Sequence, residues 1–490
     1  MPTSPTALPI VLIHGYSSEG ADNADNDIYG SLPADLRRVL GTRPVHEINL
    51  SRWISLSDGI ALDDVSFAME RALRSPQFRH LLDSGFHVII HSTGALVVRN
   101  WLRLYAPRPA PIRNLVHLAG ANFGSGLAHI GRGVLARWYR QIFQGTDAGV
   151  RVLDALEFGS SKTIDLHRHF LQPGYDILAD YGVREFCAIG SQTLKLLRLV
   201  PVRYLKEDSS DNTVRTSAGN LNFNYVRLVP TPEAFELEVR ELQQAIHSRL
   251  EDEKVRPDWY TRQAVRLATE RVPIPFALVY ETAHMGEDIG ILKGRDNRDR
   301  VLPLLRQALA VSSDEEYRDV ARAWQEVTDD TQRRIGRRKG QQHWDLHHQY
   351  EGHSQLVFRL NDQFGDPVEE FDLTFRSGGG ANRTRLEDMI EDKHINRKHR
   401  GTVLYYLRTQ RYKGSDGNLK ITDRLREVAP LDFEITGYEP RSRQIAYLPV
   451  RIRLTAKQVQ ELIQPFRTTI VDVQMLRLPH RDVFRLRRAE

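Results

Sequence analysis

Short, continuous apolar runs alternate with amphipathic stretches through roughly the first 300 residues. The runs PIVLIH (9–14), VHEINL (45–50), FHVIIHS (86–92), IRNLVHLAG (112–120), REFCAIGS (184–191), NYVRLVP (224–230) and PFALVYET (275–282) each have the length and composition of a buried strand. Between them, SLSDGIALDDVSFAMERALRSPQFRHLL and the segment from Gly94 to Leu104 repeat apolar residues at three- and four-residue spacing, which predicts helices. Strands of this kind separated by amphipathic helices predict a mostly parallel sheet covered on both faces. A stretch of about 55 residues between ANFGSG and YGVREFCAIG contains LARWYRQIF and AGVRVLDALEF; this predicts a helical insertion over about 124–182, used as a cap or lid or serving as a structural excursion without gating.

After a helical stretch ending near residue 335, RRIGRRKGQQ (333–342) reads as a linker and the periodicity changes. SQLVFRLND, EEFDLTFRS, TVLYYLRTQ, LDFEITGYE, IAYLPVRIRL, TTIVDVQML and DVFRLR alternate apolar and polar residues and are separated by Gly, Asp and Pro. That period of two predicts an antiparallel, sandwich-like all-β unit with one wet face per sheet, with RSGGGANRTR as a loop within it. The expected organisation is therefore an α/β unit over 1–335 and a β-rich accessory unit over 336–490, in keeping with a 490-residue chain.

Composition narrows the setting. With 41% hydrophobic and 27% charged residues the chain is globular, and its single cysteine, Cys187, excludes an internal disulfide framework and a cysteine-based zinc site. MPTSPTALPIVLIHG has neither the charged n-region nor the h-region of a signal peptide, and no run of about 18 uncharged apolar residues occurs. A cytoplasmic location is the expectation, with secretion by a signal-independent route left open. The net charge of +5 is uneven, since residues 331–490 hold 30 Lys/Arg against 21 Asp/Glu. Such a basic surface favours an anionic lipid interface or is simply a solvated face; no nucleic acid is expected as a partner.

The run 86–102 carries the first chemical signal: a strand meets a His-Ser-Thr-Gly tetrad and becomes a helix with no loop between. A serine at such a sharp turn, Ser92, is either a helix cap or an exposed nucleophile. VLIHGYSS ends the first strand in His14-Gly15, so the following backbone, at Tyr16 or Ser17, can supply one oxyanion donor and Thr93 the other. KEDSSDNTVRTSAGNLN (206–222) offers a carboxylate at a strand's end, Asp211, with Asp208 as competitor. PFALVYETAHMGEDIGIL then delivers His284 just beyond the last strand. The chain order Ser, Asp, His is that of an α/β-hydrolase triad.

These segments resemble the lipase and phospholipase branch of the α/β-hydrolases over about residues 9–300. The resemblance rests on VLIHGYSS, VIIHSTGALVVRNWL, LAGANFGS, SDNTVRTSAGNLN and HMGEDIGIL. Ile90 stands where the G-x-S-x-G elbow has its first glycine, and Asn212 where the S-D-G-T-V acid loop has its own. The resemblance implies hydrolysis of lipid-like acyl esters by Ser92, His284 and Asp211, with Tyr16 and Thr93 at the oxyanion and no cofactor or metal. An amidase or peptidase on the same fold, and a binding or adaptor protein with a vestigial core, are the alternatives.

Three other features carry possible chemistry. Arg215 ends the acid loop and can either fork onto a phosphate or carboxylate of the substrate or form a structural ion pair. His91 is expected to point away from the site and pack beside the sheet. HWDLHHQYEGH gathers His343, Asp345, His347, His348 and His353; it lacks an HExxH frame and reads as a surface histidine cluster rather than a zinc site.

Overall fold

The computed structural model describes residues 8–14, 29–41, 43–54, 59–126, 150–193, 207–236, 259–340, 346–378, 383–442 and 444–479. Strands β1 (Ile10–His14), β2 (Val45–Asn49), β3 (Phe86–His91), β4 (Ile112–Leu118), β5 (Arg184–Gly190) and β8 (Phe276–Val279) form one sheet in the order β2-β1-β3-β4-β5-β8, with every pair parallel. Each residue of β3 is buried, which explains why its sequence is apolar without alternation. Helices Leu62–Arg74 and Gly94–Leu104 lock together through Asn100 Nδ2 donating to Ser66 Oγ (3.0 Å) and Trp101 Nε1 donating to Glu70 Oε2 (2.8 Å). Helices Arg298–Ala310 and Asp314–Gly336 return to the sheet; Asn114 Nδ2 donates to Ala308 O and Val311 O (2.9 Å each), and the Tyr317 hydroxyl donates to Glu185 O (2.7 Å).

The second sheet runs β11 (Ile390–Ile395), β12 (Thr402–Arg408), β9 (His353–Asp362), β18 (Thr468–Met475), β6 (Asn224–Pro230), β7 (Tyr260–Arg266). It is mixed, because β18 lies parallel to both β9 and β6. A three-stranded sheet, β10 (Glu370–Ser377), β15 (Leu431–Tyr438) and β17 (Val450–Leu454), is antiparallel throughout. The pairs β13 (Gln410–Ser415) with β14 (Asn418–Asp423) and β16 (Ile445–Tyr447) with β19 (Arg477–Pro479) complete the strands. Period-two alternation divides the second sheet between two cores. Val357, Leu404, Tyr406 and Ile470 join the core of the parallel sheet, whereas Leu356, Phe358, Tyr405 and Val471 join a core shared with Phe433 and Ile452 of the three-stranded sheet.

Several expectations are corrected here. NYVRLVP is a strand, β6, but it belongs to the second sheet, so residues before 335 and after 336 share hydrogen-bonded strands. The central strands of the second sheet have both faces covered rather than one wet face, and that sheet is not purely antiparallel; the three-stranded sheet, antiparallel with alternating burial, is as expected. The first part of RRIGRRKGQQ is the last turn of the helix Asp314–Gly336, not linker. Within the predicted insertion, Val150–Leu156 and Ser161–His169 are helical; LARWYRQIF, DVFRLR and part of RSGGGANRTR lie outside the described residues.

Candidate active site

The C-terminal ends of β3 and β8 and the polar turn after β5 bring together three of the residues singled out above. Ser92 follows β3 directly and has φ 53°, in the left-handed region that L residues rarely occupy. This conformation turns the chain at once from strand into the helix Gly94–Leu104, and three backbone bonds hold it. The Ser92 N–H donates to Leu118 O (3.3 Å), and Ser92 O accepts from Ala95 N (3.2 Å) and Ala121 N (3.1 Å). Small residues permit the approach, since a Cβ on Gly120 would lie 3.0 Å from that of Ala95.

Ser92 Oγ lies 3.0 Å from His284 Nε2, and His284 Nδ1 lies 2.9 Å from Asp211 Oδ2. An ionised carboxylate only accepts, so Nδ1 carries the proton and Nε2 is left to accept from the serine hydroxyl. Asp211 Oδ1 accepts from the backbone N–H groups of Thr213 (3.1 Å) and Val214 (2.8 Å). The two segments are also joined through the main chain, with His284 N–H donating to Asp211 O at 2.9 Å. Asp211 and His284 are fully buried while Ser92 is partly accessible, so the line of groups opens to solvent only at the hydroxyl. Asn212 has φ 88°, the conformation for which glycine or asparagine is suited. Asp208 does not compete for the histidine, because its carboxylate takes Arg408 Nη2 at 3.1 Å.

The Thr93 N–H, at the start of the helix after Ser92, makes no hydrogen bond to another described residue. Tyr16 and Ser17 lie outside the described residues. His91 departs from expectation: its ring packs on that of His284 (centroids 4.6 Å apart), and its Nε2 lies 3.2 Å from His284 O. The loop after β8 folds over the end of β3, which is why the two rings meet.

Of the two roles expected for Arg215, the structure shows the ion pair and leaves no fork for a substrate group. Its fork is taken, with Nε 2.8 Å and Nη2 2.6 Å from Glu207 and Nη2 2.8 Å from Asp392 Oδ2, and only 1% of the residue is exposed. The histidine cluster is not on the surface as a group. His353 is buried between the Tyr406 ring and Glu391, His347 is buried, and His343 and Asp345 lie outside the described residues. No group of three or more potential metal ligands occurs among the described residues.

Buried titratable groups elsewhere on the parallel sheet and its flanking helices are shifted by their surroundings. Glu185 on β5 is wholly buried; burial alone would raise its pKa, but Arg99 (2.5 Å) and His117 (3.1 Å) more than offset this and hold it at about 2. His167, stacked on Phe123 and 2.5 Å from Asn122 O, is pushed down to about 3 by burial, with the positive charge of Arg99 adding to the shift. Burial raises the Cys187 thiol, which leaves it a poor nucleophile. A crevice of about 480 Å³ lined by Gln325, Gln332, Gln410 and Arg467 includes none of Ser92, Asp211 or His284.

A parallel sheet with a strand-to-helix serine turn, followed in chain order by a buried carboxylate and an imidazole at neighbouring strand ends, is the α/β-hydrolase fold. The chain is similar in structure, over 98% of its length and 96% of the other chain, to phospholipase PlaB from Legionella pneumophila in two solved structures, one in complex with thio-NAD. The TM-scores are 0.74 and 0.76 at 23% sequence identity, so the likeness is one of fold and extends through the second and third sheets. No protein-family model and no curated protein matches the sequence.

Proposed function

We propose that this protein is a serine hydrolase of lipid-like acyl esters, with phospholipids as the favoured class. The observation that carries the reading is the continuous line Ser92 Oγ, His284 Nε2, His284 Nδ1, Asp211 Oδ2, with links of 3.0 and 2.9 Å. His284 takes the proton of Ser92 as the hydroxyl attacks the ester carbonyl. Asp211 fixes the ring's tautomer and stabilises the imidazolium that forms. The developing oxyanion is held by the Thr93 N–H together with a backbone donor from the segment after β1, for which Tyr16 is our assignment. Such a donor is worth on the order of 10²–10³ in rate. The alcohol leaves with the proton from His284, and water resolves the acyl-enzyme by the reverse sequence. The name of PlaB, a phospholipase of the same fold, supports phospholipid over a soluble ester. The basic excess of residues 331–490 suits a peripheral contact with an anionic lipid surface. No described helix is long and apolar enough to cross a membrane.

Within this reading, residues 1–335 carry the chemistry and 336–490 form the accessory part, with β6 and β7 lent to the accessory sheet. The test is hydrolysis of p-nitrophenyl esters and of phospholipid vesicles by wild type and Ser92→Ala. Loss of both activities in a variant with unchanged melting temperature is expected. Retained turnover in Ser92→Ala contradicts the assignment.

A further inference from the structure

The turn that carries Asp211 is an unlikely structure to stand by itself. Between Glu207 and Arg215 it contains two non-glycine residues in the left-handed region, Ser209 (φ 52°) and Asn212 (φ 88°), and from within it is closed by the bridge Ser210 to Arg215 and by Asp211 Oδ1 accepting from the Thr213 and Val214 N–H groups. A local conformation of this kind persists only where surrounding structure over-determines it. Much of that surrounding structure comes from the second sheet, more than 170 residues away in sequence. Asp392 on β11 takes Arg215 Nη2 at 2.8 Å. The Tyr406 hydroxyl on β12 has its one proton within reach of two carbonyls at the start of the turn, Asp208 O (2.9 Å) and Ser209 O (3.2 Å). Arg408, at the end of the same strand, holds the Asp208 carboxylate.

The Arg215 guanidinium sits 4.0 Å from the Tyr406 ring centroid and 4.3 Å from that of Phe158 while its edge is forked onto Glu207. Tyr406 is backed in turn by the His353 ring at 4.7 Å, and His353 Nε2 lies 2.9 Å from Glu391. Phe158 lies between the helices Val150–Leu156 and Ser161–His169 and Glu207 belongs to the turn, while the other partners reach it from β9, β11 and β12. A planar, five-donor cation suits this slot and an ammonium does not, because the slot demands a bidentate edge and two stacking faces at once.

We propose that Arg215 and Tyr406 are positioning residues of the active site: the second sheet clamps the 207–215 turn and thereby sets the Asp211 carboxylate against His284. The inference rests on the reading of Asp211 as the acid of a serine hydrolase. It gives the accessory strands a task in the reaction that neither residue performs by touching substrate. Displacing the carboxylate by a fraction of an ångström loosens His284 without altering the surface that binds the ester, so kcat falls and KM stays.

The experiment compares the second-order rate of inactivation by a fluorophosphonate, kcat and KM for a short p-nitrophenyl ester, and melting temperature. The chains are wild type, Arg215→Lys, Tyr406→Phe, Asp211→Asn and the double variant Arg215→Lys/Asp211→Asn. Arg215→Lys is expected to react about 10- to 100-fold more slowly with KM within about twofold of wild type, and Tyr406→Phe several-fold more slowly. Because Arg215 acts through Asp211, adding Arg215→Lys to Asp211→Asn costs less than about twofold more; a stability role elsewhere would multiply the two losses. If Arg215→Lys does not fold, Tyr406→Phe, which keeps the ring and loses only the hydroxyl, decides the matter. Wild-type rates in both folded variants, or multiplicative losses in the double variant, overturn the clamp while leaving the hydrolase reading intact. A folded wild type that does not react at Ser92 overturns that reading, and the clamp with it.

Discussion

The parallel sheet and the mixed sheet beside it both bury central strands on two faces, yet they arise from different sequence logic. In the parallel sheet, β3 is buried at every position and passes straight into a helix, so strand, turn and helix are specified within some twenty consecutive residues. In the mixed sheet, β12 reads TVLYYLR and buries Leu404 and Tyr406 on one side and Val403 and Tyr405 on the other, each side against a different core. Its parallel neighbours β18 and β6 lie some 240 residues apart in the chain. In the function and the clamp proposed above, the first sheet offers Ser92 at a strand end and the second braces the turn of Asp211. The strand-to-helix turn at Ser92 is thus specified by neighbouring residues, whereas the support of the Asp211 turn is specified at long range.

The largest effect that would sharpen this contrast is chemical. Asp211→Asn should keep the fold and lower kcat by about 10³–10⁴-fold, because an amide at that position no longer enforces the tautomer with Nδ1 protonated. Steady-state kinetics on the folded variant check this, and a loss under tenfold would remove Asp211 from its role.

Next in size are two glycine substitutions, one at the end of the parallel sheet and one in the three-stranded sheet packed on the mixed one. A Cβ on Gly190, at the end of β5, would lie 1.9 Å from Thr282 O, a backbone atom two residues from His284. Gly190→Ala should therefore cost ~3 kcal/mol or more, since the backbone must move. On Gly437 in β15 the same atom meets only side chains at 3.0–3.2 Å, those of Val368, Met475 and Tyr447. Gly437→Ala should cost about 1 kcal/mol. Urea melts of the pair test the ranking, and equal losses would show that the two regions tolerate crowding alike.

Acid stability should separate the regions further. The imidazole of His167 is held at about 3 in the folded chain, against 6.5 when exposed, first by burial and then by Arg99. A depressed native pKa means that the unfolded chain binds the proton more readily. The stabilisation is thus complete above about pH 6.5 and is lost as pH falls from there towards 3. Glu185, held at about 2, extends the loss in the same direction below about pH 4.5. In His167→Gln the melting temperature should fall less steeply than in wild type between pH 7 and 4; parallel curves would contradict this. The smallest effect is expected on the outer face of the three-stranded sheet. There Arg453 pairs with Asp432 at 2.7 Å in an exposed setting, and Arg453→Ala should change stability by no more than about 0.5 kcal/mol.

How much of this was readable from the chain follows the same division. Ser92 stood out because it directly follows an apolar run, His284 because it comes a few residues after another, and Asp211 because it sits in a polar turn of Ser, Asn and Thr. NYVRLVP was recognised as a strand and assigned to the wrong sheet, since an apolar run carries no label for its neighbours. The strands β11, β13 and β14 are poor in apolar residues and gave no periodic signal. The two readings of Arg215, substrate fork or structural ion pair, could not be separated in the chain because its partners Asp392 and Tyr406 are remote in sequence, and a guanidinium's occupancy is a tertiary property. His91 was misread for a related reason: strand alternation sets which face a side chain takes, not which loop later folds over it.

The account stands on Ser92 being an activated nucleophile, and the most direct test is where a fluorophosphonate attaches. Peptide mapping of the wild-type chain after brief exposure should find one adduct, on the peptide containing Ser92, and none in Ser92→Ala. A folded protein that takes up no reagent, or that carries the adduct on another residue, would contradict it.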